Sequence, residues 1–191
     1  MRRHCAMALL ICVGAGIWLA SARNEVEGQD KKPEPPKAGP EHEILKRLAG
    51  EWECDFEAIM EPGKPAVKSK GSMTGHMIGG FWVTVTMKGE VMGMPYHGQG
   101  VFGYDSRKKK KYIGTWSDSM SDFLWQYEGK ADGDKLIFDS EGPSPTDPDK
   151  LIKFRDTWEL KRKDQIVLTG EMEGPDGKLF AGMKSVCTRK K

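Results

Sequence analysis

The feature that most restricts this chain is a strict alternation that begins at residue 51. Trp52, Cys54, Phe56 and Ala58 alternate with Glu51, Glu53, Asp55 and Glu57. Successive side chains fall on opposite sides only in an extended strand, so one face here is apolar and the other acidic, as a half-buried antiparallel strand requires. The same period recurs down the chain. Val67–Ile78 is Gly- and Met-rich, and Phe81–Lys88 alternates Phe81, Val83, Val85 and Met87 with Trp82, Thr84, Thr86 and Lys88. Further strands are expected over Tyr96–Tyr104, Lys111–Asp118, Phe123–Glu128, Lys135–Asp139, Leu151–Leu160, Gln165–Glu173 and Lys178–Thr188. Ala131-Asp132-Gly133-Asp134 and Pro175-Asp176-Gly177 carry hairpin chemistry, Asp105–Lys110 reads as a basic tip, and Gly142–Lys150 as a longer Pro-containing loop. About ten hairpin-linked strands fit either an up-and-down barrel or a sandwich. Ahead of them, Glu41–Leu48 places Ile44, Leu45 and Leu48 on one side of a short helix that Gly50 terminates. A helix positioned to close one mouth favours the barrel, so the expected class is all-β: an antiparallel up-and-down barrel with a short N-terminal helix.

The N-terminus reads as an address. Arg2 and Arg3 precede an apolar run from Cys5 to Trp18, and Ala20-Ser21-Ala22 offers a small-x-small cleavage site. The run is shorter than the ~20 apolar residues that span a bilayer, so residues 1–22 are expected to be a cleaved signal peptide rather than an anchor. Residues 23–40 contain four prolines, several charges and almost nothing apolar. Such a segment cannot offset its ordering entropy by burial, so it is expected to be a disordered linker ahead of a single domain over 41–191. The expected location is periplasmic or secreted, with no membrane insertion after cleavage.

Cleavage changes the charge balance. The full chain has 30 basic and 28 acidic residues, and the leader removes only Arg2 and Arg3, leaving 28 of each. A net charge near zero withdraws support for nucleic acid or an anionic membrane as partner. The Arg107–Lys111 run is most simply a solvated hairpin tip. Cys5 and Cys12 also leave, so Cys54 and Cys187 remain, on the first and last strands, which a closed barrel makes neighbours. Either a disulfide or two buried thiols fits their apolar positions.

Common catalytic signatures are missing: there is no Gly-x-Ser-x-Gly, His-Glu-x-x-His or Cys-x-x-Cys, and no Gly-rich phosphate loop opens a helix. Gly98, Gly100 and Gly103 alternate with larger residues in a strand, where glycine serves curvature more often than phosphate. His42, His76 and His97 lie on separate elements, so neither a metal nor a cofactor is expected. The informative residues are polar ones in apolar rows. Asp156 interrupts Ile152, Phe154, Trp158 and Leu160, and Asp118 shares a face with Tyr112 and Trp116. A buried carboxylate must be paired, hydrogen-bonded, protonated or turned to an aqueous cavity. One reading places Asp118 and Asp156 in a ligand cavity walled by Trp116, Trp125, Tyr127 and Trp158. The other has Asp118 capping the turn before Ser119-Met120, and Asp156 bridging to a neighbouring strand or sitting at a bulge.

Leu48-Ala49-Gly50-Glu51-Trp52, Pro95-Tyr96-His97-Gly98, Gly103-Tyr104-Asp105, Tyr112, Trp116-Ser117-Asp118-Ser119-Met120 and Gly129 stand in this order. Together they resemble the bacterial family of uncharacterised proteins designated DUF1579, over about residues 42–190. The resemblance implies a calycin-like barrel and no catalytic residue. Calycin-like barrels include binders of fatty acids, small hydrophobic ligands and haem. Haem binding of the nitrobindin type uses a His late in the barrel, and no His follows His97 here.

The leading expectation is a small hydrophobic or amphipathic ligand inside the barrel, with Tyr104, Trp116, Asp118, Trp125, Asp156 and Trp158 as binding residues. One alternative is a hydrolase or isomerase using the Asp118/Asp156 pair with Tyr104 or His97. Another is a structural or interaction module with a filled barrel, for which a homodimer is a natural form.

Overall fold

The computed structural model describes residues 36–59 and 65–191. The expected signal peptide, residues 1–22, and most of the expected linker, residues 23–40, lie outside the described residues. A 3-10 turn, Pro40–His42, leads into a short helix α1, Glu43–Lys46. Ten strands follow: β1 Gly50–Ala58, β2 Val67–Ile78, β3 Trp82–Val91, β4 Met94–Asp105, β5 Lys111–Asp118, β6 Ser121–Asp132, β7 Lys135–Ser144, β8 Asp147–Arg162, β9 Gln165–Glu173 and β10 Leu179–Arg189. Each pairs antiparallel with the next and β10 returns to β1, so the sheet is a closed up-and-down barrel. Closure removes the free edges that an open sheet would present.

The alternation in β1 is realised as read. Trp52 and Cys54 are buried, while Asp55 and Glu57 face outward toward Lys70 and Lys68, at 3.1 and 3.0 Å. These exposed pairs sit directly opposite one another in the β1–β2 register, where they favour that register but add little stability. On the other side of β1, Cys54 lies opposite Cys187 of β10, and the two form a disulfide across the seam that closes the barrel. Of the two states the sequence left open, the structure has the disulfide, which suggests an oxidising compartment.

A four-residue helix has no stability of its own. Here Leu45 and Leu48 are fully buried over one barrel end, each contributing roughly 1.5–3 kcal/mol by leaving water. Arg189, from the end of β10, fixes the helix from below. Its guanidinium lies 4.0 Å over the Trp52 ring and donates to the carbonyls of Ala49 (2.9 Å), Lys163 (3.0 Å) and Arg47 (3.4 Å). Gly50 makes this possible: its φ is +126°, and a Cβ there would collide with the Arg189 guanidinium. On the far side of the same end, Tyr112 donates from its hydroxyl to the Glu41 carbonyl at 2.7 Å, and His42 packs edge-on against Phe81 and Tyr104. Below the helix, Trp52, Met73, Val83, Val85, Leu136, Leu160 and Ile166 fill the interior.

One expectation changes and another is extended. Gly142–Lys150 is not a long loop: β7 runs on to Ser144 and β8 begins at Asp147, with Pro143 opposite Leu151. Proline is tolerated there because β6–β7 pairing ends at Glu128 and Asp139, which leaves β7 with one hydrogen-bonded neighbour beyond that point. Gly98 and Gly100 also serve ring packing, since a Cβ at either would strike the Trp116 indole. The hairpin glycines behave as expected, with Gly133 at φ +57° and Gly177 at φ +76°. The Asp105–Lys110 tip is solvent-exposed and held by Asp105, whose carboxylate accepts from the Arg107 and Lys108 amides at 3.0 Å each.

Candidate functional site

The end opposite the helix is hollow. A cavity of about 300 Å³ is bordered by the ends of β1, β3, β5 and β9 and the starts of β2, β4, β6 and β10, together with the middle of β8. Its wall is largely aromatic and thioether: Phe56, Trp116, Trp125, Phe154, Trp158 and Met183 are typical of it. Strand parity explains the wall. Residues 96, 98, 100 and 102 of β4 face inward, and the small glycines at 98 and 100 leave space that the Trp116 ring from β5 enters.

Asp118 has two roles at once. One carboxylate oxygen accepts the Met120 amide at 2.9 Å, the turn-capping role the sequence allowed. The other accepts from the Trp116 indole N–H at 3.2 Å, which places the acid on the cavity wall. The Tyr96 hydroxyl lies 3.3 Å from the same indole nitrogen. Trp116, Asp118 and Tyr96 therefore form one polar edge on an otherwise apolar wall.

Asp156 sits deeper, on β8. It retains accessible surface, and that surface opens onto the cavity while protein surrounds the carboxyl group on all other sides. Its register partner on β9 is Gly170, where a Cβ would stand 3.1 Å from the carboxylate oxygen, so glycine provides the room the acid occupies. Burial pushes the Asp156 pKa up to about 6, opposed by the hydrogen bond from Tyr127. The Tyr127 hydroxyl is the polar group that acts on it, and no cation pairs with it among the described residues. A carboxylate has about four acceptor sites, so the remaining ones are left to the cavity. Burial raises the phenols of Tyr127 and Tyr96 far above their ordinary value. The next contribution is the charge of Asp156 at Tyr127 and of Asp118 at Tyr96. Each tyrosine also feels the more distant carboxylate, so both acids act on the same enclosed space.

Of the residues expected from sequence, Trp116, Asp118, Trp125, Asp156 and Trp158 line this cavity. Tyr104 does not: it packs against Tyr112 and His42 at the helix-covered end, with ring centroids 5.0 and 6.0 Å away. His97 is exposed on the outer face of β4. Tyr96 joins the site without having been singled out, although its parity with Gly98 and Phe102 carried the signal. The contribution of Phe154 is also new: it meets Trp125 edge-on at 4.7 Å.

Trp125 occupies a particular place. Where β6 and β7 stop pairing, its indole lies over Gly142, whose Cβ, if present, would collide with the ring. The ring covers the seam between the parted strands. Close by, Ser140 is the one buried side chain among the described residues whose oxygen has no hydrogen-bond partner.

A family model described as "Protein of unknown function (DUF1579)" matches residues 37–189. No curated protein matches the chain. Among solved structures, the chain is similar to Rv2717c from M. tuberculosis at a TM-score of 0.57 and 14% identity, over 81% of this chain and 100% of that one. It is also similar to the S-type phycobiliprotein lyase CPES from Guillardia theta, at a TM-score of 0.50 and 11% identity, over 78% and 92% of the two chains. At such identities the likeness is one of fold, and it carries no site residue across.

Proposed function

We propose that this chain, which belongs to the DUF1579 family, is an exported binding protein that holds a small hydrophobic or amphipathic ligand in the open half of its barrel. The observation that carries this reading is the cavity of about 300 Å³, walled by aromatic rings with a few convergent polar groups. That volume stands at the lower end of the roughly 300–1,000 Å³ common for small-molecule sites, so the ligand is small. A protein that needed only a stable barrel would fill this end as the helix end is filled. Instead Gly170 holds open the space in front of a buried acid. The leader-like N-terminus and the disulfide support a periplasmic or extracellular site of action.

The test has two parts. Native mass spectrometry of protein recovered after export should show an added mass that disappears on denaturation. Titration with 1-aminoanthracene, a neutral apolar fluorophore, should saturate at one equivalent per chain. A protein that carries nothing and leaves the fluorophore in water is not a ligand-binding barrel.

A further inference from the structure

The charged side chains on the cavity wall are all acidic. Asp118 and Asp156 turn into the space, and Glu57, Glu90 and Glu171 border it, with Glu57 held outward by Lys68 at 3.0 Å. Among the described residues no Lys, Arg or His lines the cavity. A ligand with a carboxylate or phosphate head would meet no compensating cation, and would be brought beside two acids. Like charges so placed repel, more strongly inside a protein wall than in bulk water.

The apolar part of the wall points the same way. Phe56, Trp116, Trp125, Phe154 and Trp158 line the cavity. Aromatic faces attract cations through their quadrupole, most strongly when the cation has left water. Two carboxylates with free acceptor sites in such a setting make a receptor for an N–H-bearing or alkylated ammonium group, and the rings take up its hydrocarbon.

Resting on the binding reading above, we propose that the ligand is a hydrophobic organic cation, an amine or ammonium compound with an apolar body, whose charge lies between Asp118 and Asp156. The apolar body packs along Trp116, Phe154 and Met183. The charged head neutralises acids that the fold itself leaves without a cationic partner.

Three probes of nearly equal size separate the possibilities at pH 7.5: decylammonium, decanol and decanoate, each displacing bound 1-aminoanthracene. Decylammonium should bind at least about tenfold more tightly than decanoate, the worth of one modest charge contact, and more tightly than decanol. In Asp156→Asn and Asp118→Asn the preference for decylammonium over decanol should shrink, and in the double variant it should vanish. Asp156→Asn keeps an acceptor oxygen toward Tyr127, whereas Asp118→Asn keeps one oxygen for either the Met120 amide or the Trp116 indole, so unchanged tryptophan emission in each apo variant checks that the wall stays in place. Decanol or decanoate binding as tightly as decylammonium overturns the cation proposal while leaving the binding reading intact. So does an ammonium preference that survives in the double variant. Failure of 1-aminoanthracene and all three probes to bind removes both.

Discussion

Asp156 costs the folded protein stability at neutral pH, and the size of that cost can be measured. Its pKa stands at about 6 in the barrel against 3.8 ordinarily. The groups that interact with it are Tyr127 from β6 and, at longer range, Tyr96 from β4, neither of them cationic. Well below pH 3.8 the acid is protonated both folded and unfolded, and it makes no pH-dependent contribution. As pH rises, the unfolded chain loses the proton first, while the native state keeps it until about pH 6. Between these points the native state binds more protons, so stability falls with rising pH. A displacement of about two pKa units corresponds to roughly 3 kcal/mol, lost in full above about pH 7. Asp156→Asn removes this dependence and keeps an acceptor for Tyr127. In urea melts from pH 3.5 to 8, the variant and the natural protein should be close at pH 3.5–4 and diverge to about 3 kcal/mol at pH 7.5, with the variant the more stable. Taking the difference cancels the titrations common to both. Parallel curves, or a variant less stable at pH 7.5, would refute the placement of an acid without a cationic partner in the barrel interior.

Other expectations follow from the same structure. The disulfide links residues 133 apart in sequence, so chain entropy sets its contribution near an upper value of about 5 kcal/mol. Cys54→Ser/Cys187→Ser should lose roughly 2–5 kcal/mol in denaturant melts, and reductant should then have no further effect. Gly98→Ala should push the Trp116 ring from its seat, costing roughly 1–3 kcal/mol and shifting tryptophan emission, whereas an unchanged spectrum would show the ring has room to spare. Arg189→Ala should destabilise by about 2 kcal/mol or more, through loss of the Trp52 face and the helix-end carbonyls. Arg189→Lys should recover little of this, because a single ammonium cannot reproduce the planar fork.

Period two in β1, β3 and β5, the Gly-containing hairpins and the short amphipathic helix were enough to specify an all-β chain of about ten strands. The reason is that alternation and turn chemistry are local: each is written in neighbouring residues and survives whatever lies across the sheet. The two cysteines on the terminal strands could be paired on paper because barrel closure makes the first and last strands adjacent. Even the site was half legible, since Asp118 and Asp156 broke apolar rows and a buried acid demands an explanation.

What the sequence could not decide is which end of the barrel is full. That depends on ring packing between strands far apart in the chain, such as Trp116 resting against Gly98 and Gly100, and Trp125 over Gly142. Parity assigns a side chain to the inside but not to a height along the axis. Tyr104 and Tyr96 share a face of β4, yet one belongs to the helix-covered plug and the other to the cavity. The parting of β6 from β7, and with it a proline inside a strand, was equally hidden, because a missing ladder is a relation between two segments. Local pattern fixed the strands and their inward faces. Only three-dimensional packing determined that one half of the interior is core and the other a cavity lined by two acids.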